Sequence, residues 1–167
     1  VKYSTFEELP VWKAAIELAA NVFSFTRQAD FRGYGDLRSQ LERAALSVSN
    51  NISEGFERGT TKELIAFLYI SRGSAGDTRS MLRLCERDEH FSNFKSEISN
   101  LINRSINISK QLHGWLESLK NTEIKGVKYL NEKERKRFEQ NKDFEEFDRE
   151  MEHFRIEFRE KLERGEI

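Results

Sequence analysis

The sequence has few of the residues that cross-link or punctuate a fold. Its 167 residues include one cysteine, Cys85, so no intramolecular disulfide can form. There is one proline, Pro10, and only nine glycines. Strand-rich domains need turn signals at short, regular intervals, and none recur here, which argues against a sandwich or barrel. Charge of one sign is also lacking: 28 basic against 29 acidic side chains leave a net −1. That excludes a polycationic nucleic-acid coat. No apolar run approaches the roughly 18 residues of a membrane span. The opening VKYSTFEELPVWK has no signal-peptide core. With no initiator Met, the numbering is expected to start within a processed chain. These absences lead us to expect a soluble cytoplasmic protein without membrane contact.

Recognisable catalytic chemistry is scarce as well. His90, His113 and His153 are far apart, and none has a second ligand at i+3 or i+4. No phosphate loop, dinucleotide fingerprint or nucleophile elbow occurs. Cys85 lies on the apolar face of a helical pattern, where a buried inert thiol is expected. The Asn-X-Ser triplets at Asn51, Asn103 and Asn107 are chance matches in a helical cytoplasmic protein. No metal, no cofactor and no catalytic residue is expected, and the protein is read as a non-enzyme.

What is present is helical periodicity. Leu, Ile, Val and Phe make up 44 residues, enough to build a core. A first helix is expected from Phe6 to Gln28, with Val11, Trp12, Ala15, Leu18, Ala19, Val22 and Phe25 inward and Pro10 in its opening turn. Gly33 and Gly35 break the chain. A second is expected from Asp36 to Arg58, with Leu37, Leu41, Ala44, Ala45, Val48, Ile52 and Phe56 inward and Gly59 as its stop. Thr60 and Glu63 have capping-box spacing and open a third, whose inward face is Leu64, Phe67, Leu68, Ser71, Ala75, Thr78, Leu82 and Cys85. The fourth is expected over Ser92 to Leu119. Short connections between long helices predict an all-α, antiparallel up-down-up-down four-helix bundle over residues 1–122. Gly73 and Gly76 lie inside the third helix, each at a cost of about 1 kcal/mol against Ala. Close approach of a neighbouring backbone is the expected compensation, with a kink as the alternative.

Residues 123–167 form a charged, Phe-rich helical extension in this reading. Within 125–167, 25 of 43 side chains are charged. A short helix is expected over Glu132 to Gln140, and Asp143 with Glu146 offers a second capping box. Phe144, Phe147, Met151, Phe154, Phe158 and Leu162 then follow coiled-coil spacing. Such a seam folds back on its own bundle, pairs with another subunit or receives a partner.

Two polar stripes carry the functional reading. On the second helix, Gln40, Arg43, Ser47, Asn51, Glu54 and Arg58 form a ridge beside the apolar stripe. On the third, Arg72, Arg79, Arg83 and Arg87 share one face, with Gly76 in the missing turn. Guanidinium groups in a row can track phosphates or pair with carboxylates across an interface. Residues 27–87 carry ten basic and eight acidic side chains. That is a weak electrostatic footprint, which stacking in a ring would strengthen.

Residues 38–74 read RSQLERAALSVSNNISEGFERGTTKELIAFLYISRGS. This block resembles the helical family encoded by intervening sequences within 23S ribosomal RNA genes. The matching positions are Gln40, Arg43-Ala44-Ala45, Ser47, Asn51-Ile52, Glu54-Gly55, Arg58, Lys62-Glu63, Phe67-Leu68 and Arg72-Gly73-Ser74, with Val11-Trp12 upstream. Ser49 stands where the family commonly has Pro, so a straighter second helix is expected; Asp77 stands where Glu is common. The resemblance covers roughly residues 5–120 and leaves out the Phe-rich extension. It implies a four-helix bundle that assembles into a homo-oligomeric ring, expected as a pentamer, with no established catalysis. A remoter kinship, to the accessory protein of diversity-generating retroelements, implies work with a reverse transcriptase and RNA.

Three functions follow as expectations. The first is a non-catalytic oligomeric adaptor for structured RNA or a ribonucleoprotein, with Arg43, Arg58, Lys62, Arg72, Arg79, Arg83 and Arg87 as phosphate contacts. The second is a protein-interaction module, an accessory subunit whose ring or Phe-seam helix binds a polymerase or other protein. Its interface candidates are Gln40, Ser47, Asn51, Glu54, Phe144, Phe147, Met151, Phe154 and Phe158. The third is an enzyme with a site assembled between subunits from Asn51, Glu54 and Arg58, which no motif supports.

Overall fold

The computed structural model describes residues 3–121. The second short helix, the Asp143–Glu146 cap and the seam of Phe144, Phe147, Met151, Phe154, Phe158 and Leu162 lie outside those residues. Within them the chain is all-α, with helices α1 (Pro10–Gln28), α2 (Leu37–Glu57), α3 (Thr61–Arg87) and α4 (Lys95–Lys120).

The helix starts follow local chemistry. α1 begins later than the apolar pattern predicts, because Leu9 precedes a proline and is held extended at φ −66°, ψ 121°. Phe6–Glu8 form a separate 3₁₀ turn ahead of it. Pro10 takes the first helical position, where no donor is lost. At α3, the Thr60 hydroxyl accepts the Glu63 N–H at 3.2 Å and donates to its carboxylate at 2.6 Å. α4 also starts later than the pattern predicts. Glu89–Phe94 wind as a 3₁₀ helix capped by Asp88, which accepts the His90 N–H at 2.9 Å. This tighter winding accompanies burial of Phe91 against Phe25 and Phe31. Gly33, Gly35 and Gly59 have φ of 89°, 56° and 77°, so the turns use the left-handed conformation that glycine tolerates best.

α1 packs on α2 and α4, and α3 packs on the same two, so each helix has two neighbours. Most of the expected inward residues line the core, with Ala15, Leu18, Leu41, Ile52, Leu68 and Leu82 fully enclosed together with Ile98 and Leu112 of α4. Ala44, expected inward, is instead half-buried and lines a groove between α2 and α3. Trp115 packs at the edge of the core, and Phe67, also expected inward, is only half-buried. Thr26, fully buried on α1, donates to the Glu42 carboxylate of α2 at 2.5 Å. α2 runs unbroken through Ser49, whose hydroxyl bonds the Leu46 carbonyl at 3.0 Å.

The small residues of α3 do not act as their spacing predicts. A Cβ at Gly73 or Gly76 would have no neighbour within 4 Å, so no backbone approaches either position. The helix nevertheless runs unbroken from Thr61 to Arg87. The close approach lies instead at Gly55 of α2, where a Cβ would sit 2.7 Å from the Phe67 Cβ. Around it, Ser71 donates to the Val48 carbonyl at 2.8 Å and the Ser47 and Ser74 hydroxyls meet at 3.0 Å. From Gly55–Phe67 to Ser47–Ser74 the partners climb α3 as they descend α2, so the two helices run antiparallel.

Candidate nucleic-acid interface

The arginine row on α3 separates into two electrostatic kinds. Arg83 is tied to Glu86 on the next turn at 2.7 Å. Arg58, at the end of α2, is held 2.7 Å from Glu54 and 4.0 Å from Glu63, with its guanidinium 5.5 Å from the Phe67 ring centroid. Arg43, Lys62, Arg72, Arg79 and Arg87 make no ion pair with a carboxylate among the described residues. Exposed pairs such as Arg83–Glu86 contribute little to stability, but they neutralise the cation locally.

Two grooves flank α3. One, of about 330 Å³, lies between α2 and α3 and is lined by Gln40, Arg43, Ala44, Asp77, Ser80 and Met81. Its arginine shares the lining with a carboxylate. The other, of about 280 Å³, lies between α3 and α4 and is lined by Arg72, Gly76, Arg79, Ile106, Ser109, Lys110 and His113. No carboxylate lines this second groove. Glu117 of α4 is held below the usual carboxylate range first by its hydrogen bond to Lys120 and, more weakly, by the charges of His113 and Arg72.

The polar ridge of α2 divides in a similar way. Ser47 meets Ser74 of α3 at 3.0 Å, and Asn51 bonds within its own helix, donating to the Ser47 carbonyl at 2.7 Å and to its hydroxyl at 2.9 Å. Glu54 is occupied by Arg58, so Asn51, Glu54 and Arg58 do not converge on an open site within one chain. Gln40 and Arg43 remain exposed at the α2/α3 groove. Lys110 and His113 were not singled out by sequence reasoning. Their i, i+3 spacing on the polar side of α4 was the available signal, but helical spacing within α4 does not reveal which face meets α3.

Other polar chemistry near the core is structural. At one end, the Tyr34 hydroxyl donates to Asp88 at 2.9 Å and the His90 ring meets the Asp30 carbonyl at 2.7 Å. Burial pushes the Cys85 thiol up to about 11, which leaves it protonated and unreactive near neutrality. No group of His, Cys, Asp or Glu among the described residues has the arrangement of a metal site. No described helix is long and apolar enough to cross a membrane.

Residues 7–114 match the family described as 23S rRNA-intervening sequence protein. A crystal structure of a protein of unknown function from the S23 ribosomal protein family of Bacteroides thetaiotaomicron has a similar fold. The similarity has a TM-score of 0.57 at 22% identity and covers 64% of this chain and 98% of that one. No curated protein matches the chain.

Proposed function

The chain belongs to the 23S rRNA-intervening sequence protein family, and we propose that it is a non-catalytic oligomeric adaptor that binds structured RNA or a ribonucleoprotein. The observation that carries this reading is the set of cations on and beside α3, Arg43, Lys62, Arg72, Arg79 and Arg87, that make no ion pair with a described carboxylate. Fixed on helices, these groups can meet phosphates without first breaking an ion pair.

Self-association is the second part of the reading. Leu46 on α2 and Tyr69, Ile70 and Leu84 on α3 are large apolar side chains left 37%, 44%, 52% and 55% exposed. Contact with further copies of the chain would cover such groups, and a ring, with five subunits as the family resemblance implies, would repeat the weak basic footprint around an axis.

The test is binding of the purified protein to a structured RNA at low and high salt, with oligomer mass followed in the same samples. The expected result is an oligomer whose affinity falls steeply with salt as phosphate contacts release counterions. Charge reversal at Arg79 weakens binding more than reversal at Arg83, whose charge is already met by Glu86. An oligomer that ignores RNA at both salts overturns the reading and moves the function to a protein partner.

A further inference from the structure

We propose that the groove between α3 and α4 is a phosphate-binding site, with Arg72, Arg79 and Lys110 as charge donors and His113 and Ser109 as additional hydrogen-bonding groups. The inference deepens the RNA reading and rests on it for the molecule that carries the phosphate.

The groove joins three observations. Arg72 and Arg79 are seven residues apart on one face of α3, about 10.5 Å along its axis. Gly76 lies between them and also lines the groove. A Cβ at Gly76 would meet nothing within 4 Å, so the floor is open where a larger side chain would fill it. Glycine is disfavoured inside a helix and has no packing role here, so space for a ligand gives it a purpose. Facing it, α4 presents Ser109, Lys110 and His113 within about one turn. A phosphate seated over Gly76 would be bracketed by two guanidinium groups and met by an ammonium from the opposite helix. Guanidinium offers paired N–H donors to phosphate oxygens, and the ammonium supplies a point charge.

The opposite groove is a poorer phosphate site, because Asp77 shares its lining with Arg43. The exposed apolar side chains of α2 and α3 offer no anion chemistry.

The experiment uses the full chain and two probes, tripolyphosphate by calorimetry and a fluorescently labelled structured RNA by anisotropy. Arg79→Gln combined with Lys110→Gln removes two charges from the groove. Gly76→Leu blocks its floor while keeping every charge. Lys13→Gln combined with Lys95→Gln removes two exposed charges elsewhere as a control. Both groove variants are expected to lose about tenfold or more in affinity for both probes, with helical content unchanged, whereas the control stays close to wild type. If wild type binds RNA and the groove variants bind it equally well, the groove assignment falls and the RNA reading stands. If wild type binds tripolyphosphate but not RNA, and the groove variants lose that binding, the site stands and the RNA reading falls. Binding of neither probe overturns both.

Discussion

Gly55 and Gly76 are the same residue type with opposite consequences. Gly55→Ala would drive a Cβ to 2.7 Å from the Phe67 Cβ and 3.3 Å from a Leu64 methyl. Overpacking of that kind costs about 1–3 kcal/mol, less the helix-propensity gain. Gly76→Ala meets no neighbour and should stabilise the protein by up to about 1 kcal/mol. Urea titration of the two variants separates them by sign. Gly55 stands in the resemblance block and Gly76 in the small-residue patch of the third helix, but their surroundings were not legible, since spacing along one helix says nothing about the distance to the next. Titration is also a residue-scale property. Asp30 is lowered to about 2, chiefly by its side-chain hydrogen bond to Arg32, and Asp88 is lowered by the His90 backbone N–H and then by the Tyr34 hydroxyl. A depressed carboxyl stabilises the fold above its unfolded value and loses that contribution as pH falls through its folded value. Stability should therefore decline from about pH 4 toward pH 2. Asp88→Asn should flatten part of that decline in thermal melts recorded against pH.

At the scale of the element, helix termini and helix pairs follow different rules. The third helix starts where Thr60 and Glu63 indicate, because a capping residue satisfies donors of its own helix. Thr60→Ala should cost about 1 kcal/mol, read by denaturant unfolding. The α1–α2 contact between Thr26 and Glu42 was not legible, since it joins residues on two elements through a rotation that periodicity leaves free. Burial raises the Glu42 carboxyl, but the hydrogen bonds from Thr26 and Arg38 outweigh it and hold the group lowered. Thr26→Val keeps the shape and removes the donor. A loss of about 1.5–3 kcal/mol is expected for this hydrogen bond to a charged group, and Arg38 on the same carboxylate places it toward the lower end.

For the whole molecule, the question is which surface meets other molecules. Ile70→Asp combined with Leu84→Asp places charge on exposed apolar positions. If self-association uses this face, the double variant should lose oligomer mass by light scattering while circular dichroism stays unchanged. An unchanged mass would move self-association to another surface.

The sequence by itself determined the four helices of residues 3–121, most of their inward faces, the turn glycines and the α3 cap. Each follows from interactions within a few residues: an apolar stripe repeats every turn, and a cap bonds its own first turn. Tertiary structure decided the rest. It placed Ser47 in a seam with α3, made Gly55 the close contact, left Gly76 open, and set Lys110 and His113 opposite Arg72 and Arg79. The reason is geometric: local pattern sets the inward side of each helix, while its rotation and axial offset against a neighbour depend on how both surfaces interlock. Small changes in either decide which polar groups meet and which are left for a ligand.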